Sequence, residues 1–141
     1  MSKLLKRLSD ASRSGVYRTS RIDEILDAAQ GSALRIVRIE LAGASGKEAL
    51  MERTARALEF PQWFGGNWDA LEDCLTDLSW SSAGGHVLLI EGAAGLPADE
   101  RGIFTDILAS AAAWWAGRGQ PFFAVFVGGA EGLPELYRRR K

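Results

Sequence analysis

"HVLLIEG" (86–92) and "PFFAVFVGG" (121–129) are nearly continuous apolar runs, each closed by glycine. A strand with one wet face alternates apolar and polar residues. A strand that is apolar throughout is covered on both faces, as in a parallel sheet. The residues between the two runs, "LPADERGIFTDILASAAAWWAGRG" (96–119), read as one long helix. Pro97 lies near its start, and Gly117 and Gly119 mark its end. Upstream, "LRIVRIEL" (34–41) is β-branched and bounded by Gly43, so it reads as a third strand. "SGKE" (45–48) has the form of a capping box. The helix behind it carries Leu50, Met51, Thr54, Ala55 and Leu58 on one face and is stopped by Pro61. Strands alternating with helices predict an α/β fold: a small, mostly parallel sheet of three to four strands packed with helices. The strands near 34–41, 86–91 and 121–127 are expected to be mutually parallel.

The ends of the chain carry weaker signals. Residues 1–15 read as a polar, basic, frayed leader. "GVYRT" (15–19) is β-prone, and "RIDEILDAAQ" (21–30) places Ile22, Ile25, Leu26 and Ala29 at helical spacing before Gly31. The tail "GLPELYRRRK" (132–141) is expected to form a short helix. The 141 residues suit one domain of ordinary size, and nearly half are hydrophobic, enough for a core.

Net charge is only −1, but its distribution is uneven. Between Arg56 and Arg101 there is no Lys or Arg, and eight acids stand there: Glu59, Asp69, Glu72, Asp73, Asp77, Glu91, Asp99 and Glu100. The rest of the chain is therefore +7. Clustered charge of one sign steers a partner of the other. One cysteine, Cys74, cannot form an internal disulfide, so a reducing, cytoplasmic compartment is expected. No segment has the roughly 20 apolar residues of a membrane helix, and the N-terminus lacks the apolar stretch of a signal peptide.

The familiar catalytic kits do not assemble from these residues. His86 has no second histidine to share a metal, and Cys74 lies inside a predicted helix, outside any C-x-x-C pair. "GASGK" (43–47) lacks the spacing of a phosphate loop. No metal, cofactor or direct nucleic-acid contact is expected. The chemistry concentrates in "FPQWFGGNWDALEDCLTDL" (60–78). Asn67 is a good N-cap for a helix running to about Leu78. On it Asp69, Asp73 and Asp77 share a face, with Glu72 and Thr76 beside them, while Leu71, Cys74, Leu75 and Leu78 face the core. Like charges at that spacing cost about 0.2–0.5 kcal/mol per pair. The stripe is mildly unfavourable for folding alone, which points to a partner. Gly65 and Gly66 permit a tight approach, and one of Trp63 and Phe64 can point outward as an interface anchor. Burial of both rings is the alternative.

These residues resemble the barstar family, intracellular protein inhibitors of bacterial ribonucleases. The family pattern is an aromatic pair, Gly, any residue, Asn, any residue, Asp-Ala-Leu, any residue, Asp-Cys-Leu-Thr. It appears here as Trp63-Phe64, Gly65, Asn67, Asp69-Ala70-Leu71 and Asp73-Cys74-Leu75-Thr76. The resemblance implies a barstar-like domain over 34–141, preceded by an extension over 1–33 with room for an extra strand and helix. It implies that Asp73 enters the nuclease active site in place of a substrate phosphate and that Asp69 flanks it. Trp63 takes a contact position that is normally Tyr. Gly65 and Asn67 shape and cap the segment, Glu72 stands where a compact member has Trp, and Thr76 lies one turn beyond Asp73. Trp114 stands where the family has a further acidic contact. The implied function is non-enzymatic: an antitoxin-type inhibitor, monomeric when free, whose acidic helix blocks the cationic cleft of a small ribonuclease. An interaction module for some other basic partner, or an acid/base or magnesium site on Asp69 and Asp73, are the competing classes.

Overall fold

The computed structural model describes residues 2–62, 64–81, 83–128 and 132–137. Four strands form one sheet: β1 (Gly15–Thr19), β2 (Leu34–Glu40), β3 (Gly85–Glu91) and β4 (Phe122–Val127). Their order is β1-β4-β3-β2, and every pairing is parallel. The three expected strands thus align as predicted, and β1 adds a fourth at the edge. Among the described residues, five α-helices cover the sheet: α1 (Lys3–Leu8), α2 (Ile22–Ala29), α3 (Lys47–Leu58), α4 (Trp68–Leu75) and α5 (Ala98–Ala116).

The apolar runs explain this architecture. On β3, Leu88 and Ile90 face one core cluster, and Val87 and Leu89 face the other. On β4, Phe122, Ala124 and Phe126 alternate in the same way with Phe123 and Val125. The first cluster takes in α3, α4 and α5, the second α1 and α2. The β1-to-β2 connection runs from one edge of the sheet to the other, and the later connections return. Crossovers between parallel strands keep one hand, so the reversed direction puts α2 on the opposite face. Gly92 closes β3 with φ 76°, and a Cβ there would lie 2.5 Å from the backbone nitrogen of Ala42. The strand ends meet there too closely for any side chain.

Three local expectations are corrected. The supposed frayed leader contains α1, capped by Ser2, with Leu4 and Leu8 buried one turn apart. The capping box is not made: Gly46 is the N-cap of α3, and no side chain caps it. The described part of the tail is not helical. Residues 134–136 lie beside β1, where Arg18 donates its backbone N–H to Pro134 and accepts from that of Leu136, at 2.9 and 3.0 Å.

Candidate functional site

The candidate site is α4 and the loop that leads into it. Asn67 Oδ1 accepts from the Ala70 N–H at 2.7 Å, which caps the helix as its sequence position predicted. Gly66 has φ 70° with open space around its Cα, so the left-handed turn before the cap falls on Gly66 and not on Gly65. Both glycines are exposed. An aromatic cluster steadies the loop from below. Phe60 packs edge-on against Phe64 at 5.0 Å and Trp80 at 6.0 Å, and Trp80 Nε1 donates to the Leu58 carbonyl at 3.0 Å. Phe64 is half-buried against the core. Trp63 lies outside the described residues.

One face of α4 is apolar: Leu71, Cys74 and Leu75 are buried, as is Leu78 just beyond. The other face is wet: Asp69, Glu72 and Asp73 are all exposed. The helix ends at Leu75, one turn earlier than expected. Thr76 is its C-cap, half-buried, with its hydroxyl donating to the Glu72 carbonyl at 2.9 Å. Leu78 adopts the left-handed region at φ 49° while keeping its side chain in the core. Asp77 therefore lies past the helix, and the expected three-residue stripe shortens to Asp69 and Asp73 with Glu72 beside them. No basic residue stands in the last turn, so Glu72 and Asp73 face the negative end of the helix dipole uncompensated.

Charge is sorted by the fold. Of the eight acids in the acidic interval, Glu59 pairs with Arg35 at 2.8 Å and Glu91 with Arg38 at 3.0 Å. Among the described residues, Asp69, Glu72, Asp73, Asp77, Asp99 and Glu100 make no ion pair. The uncompensated negative charge is thus left on α4, its exit turn and the first turn of α5. One cation comes near the start of α4: Lys47 Nζ lies 5.7 Å from the Trp68 ring centroid. It comes from α3, beyond the reach of a reading along the acidic interval alone.

Trp115 was missed as a support of this site. Its Nε1 donates to the Leu75 carbonyl at 2.7 Å and pins the end of α4 to α5. The sequence signal was the Trp-Trp pair near the end of an otherwise small-residue helix. Cys74 is fully buried; burial, with Asp77 and Asp73 nearby, raises its thiol to about 11. His86 is buried against Ser81 Oγ at 2.9 Å, and burial with the Arg35 charge lowers it to about 4. Both residues belong to the packing. Among the described residues, no group of three or more His, Cys, Asp or Glu is placed to hold a metal ion, and no helix is long and apolar enough to cross a membrane.

The family model described as Barstar (barnase inhibitor) matches residues 34–127. A comparison with curated proteins gives no match.

Proposed function

We propose that this chain, which belongs to the barstar family, is a non-enzymatic inhibitor that blocks the cationic active site of a ribonuclease with α4. The observation that carries the reading is the exposed Asp69–Glu72–Asp73 face, which makes no ion pair among the described residues, on a helix held at both ends. A ribonuclease binds a polyanion, so its cleft is cationic. A rigid row of carboxylates can occupy that cleft in place of phosphates. Complementary charge raises the association rate and fixes the register of the complex. The extreme hot-spot magnitude known for such interfaces was measured in this family. Asp73 is proposed as the central carboxylate and Asp69 as its flank. Trp63, Gly65, Asn67, Glu72 and Thr76 complete the contact surface, with Asn67 acting through the cap and Thr76 through the helix end.

Residues 34–141 are proposed as the inhibitory unit, and residues 1–33 as an extension that completes the sheet with β1. The partner is a small cationic ribonuclease, with no direct contact to nucleic acid. The free protein is monomeric and works in the cytoplasm as an antitoxin. The test is a titration of RNA cleavage by a panel of secreted cationic ribonucleases, barnase among them. Stoichiometric loss of cleavage against one of them supports the reading. Full cleavage throughout the panel, or RNA hydrolysis by this protein itself, refutes it. A basic non-nuclease protein captured in its place would favour the interaction-module reading.

A further inference from the structure

The end of α4 is joined to an exposed aromatic–cation pair by a short chain of contacts. The Leu75 carbonyl accepts from Trp115, whose ring meets that of Trp114 edge-on at 4.8 Å. Trp114 is 38% exposed, and the Arg118 guanidinium lies 3.9 Å from its ring centroid. Arg118 is exposed and makes no ion pair among the described residues. It follows the end of α5, where the helix dipole favours a cation. A guanidinium centred over a ring still has in-plane N–H groups to offer, and those match a carboxylate. An exposed cation thus lies at the end of α5, the helix that Trp115 ties to the end of the acidic α4. Against a uniformly basic cleft rim that cation is repulsive, and such repulsive elements set specificity.

We infer that Trp114 and Arg118 form a selectivity rim beside α4, and that the nuclease this chain fits carries a carboxylate at the facing edge of its cationic cleft. The inference rests on the inhibitor reading above and names the partner's chemistry more closely.

Barnase serves as the probe, with association rate and affinity measured at low and high salt. Arg118→Gln should associate with it about three- to tenfold faster than wild type, and Arg118→Glu faster still, with the gain shrinking at high salt. Trp114→Ala, which releases the guanidinium, should fall between wild type and Arg118→Gln. Lys6→Glu makes the same net-charge change as Arg118→Glu, but on α1 across the sheet. It should change the rate by less than about twofold, because distant exposed charges are screened. A second arm uses barnase variants in which single Lys or Arg residues bordering the cleft are changed to Glu. One of them should bind wild type at least about tenfold tighter than unmodified barnase does, and lose that gain against Arg118→Glu. Equal responses of Arg118→Glu and Lys6→Glu, no gain in Arg118→Glu, or no rim variant preferred by wild type overturns the inference. Asp73→Asn in the Arg118→Glu background reads the α4 contact itself. If it does not weaken barnase binding by at least about thirtyfold, α4 is not what holds barnase and the rim inference falls; the inhibitor reading falls separately, when no ribonuclease of the panel is inhibited.

Discussion

Asp73→Ala sets folding against the proposed binding role at one residue. Asp73 is exposed in the last turn of α4, has no ion-pair partner among the described residues, and stands one turn from Asp69. The substitution relieves like-charge repulsion of about 0.2–0.5 kcal/mol. It removes an anion from the negative end of the helix, a gain of about 0.3–1 kcal/mol, and installs the best helix former. The Thr76 hydroxyl contacts backbone carbonyls, so the C-cap survives. With incomplete additivity the free protein should gain about 1 kcal/mol, or about 3 °C in Tm for a domain of this size. In the proposed complex, the same change would leave buried cations of the ribonuclease unpaired. That costs at least about 2–5 kcal/mol, a loss of about thirtyfold to several thousandfold in affinity. The assay pairs urea denaturation of the free variant with its inhibition constant against the ribonuclease identified by titration. Asp69→Ala is the internal comparison: its position at the start of α4 gains from the dipole, so its free stability should barely move while binding falls. An Asp73→Ala protein that is less stable when free, or inhibits as strongly as wild type, refutes the reasoning.

The remaining predictions concern the supports of the site. His86 stays neutral in the fold down to about pH 4 but protonates near 6.5 when unfolded, so the unfolded state binds the extra proton between those values. Stability should fall as pH drops through that window, by roughly 3 kcal/mol at its lower end, and His86→Gln should flatten the upper part of the curve measured by denaturation at stepped pH. Cys74, with its thiol raised to about 11, should resist thiol reagents at pH 8 until the protein unfolds. Cys74→Ala should cost on the order of 1 kcal/mol of stability and leave inhibition unchanged, and lost inhibition in a folded variant would contradict the core-facing placement. Trp115→Phe removes the donor to Leu75 but keeps most of the packing. It should cost about 1–2 kcal/mol by denaturation, with faster hydrogen exchange at the end of α4.

The central sheet and α5 were legible because their signals are local and redundant. Two apolar runs with glycine stops read as doubly covered strands, and Asn67 read as a cap because its chemistry acts within one turn. The failures lie where a distant contact decided the outcome. Leu4 and Leu8 carry a helical spacing too short to stand alone; α1 exists because the second face of the sheet needs cover. Ser45 and Glu48 had the right types for a capping box, but Gly46 intervened as the N-cap. Asp77 was placed on the stripe by extending a periodicity that Thr76 and the left-handed Leu78 interrupt. The acidic face of α4 was legible from spacing. Its structural partners Lys47 and Trp115 were not, since both come from other elements.

The placement of β1 has a consequence for how the molecule is made. Its strand neighbour is β4, Gly15 pairing with Phe123, and its outer edge is covered by residues 134–136. During synthesis, β1 leaves the ribosome more than a hundred residues before either neighbour exists. At roughly 5–20 residues per second it waits on the order of 5–20 s with its edges unpaired. The α4 residues 68–75 emerge within that wait, before β3 and α5 can support them. The nascent chain therefore shows the charges of the α4 face before it holds their geometry, and on the proposed reading it can act as a plug only once β4 has joined the sheet.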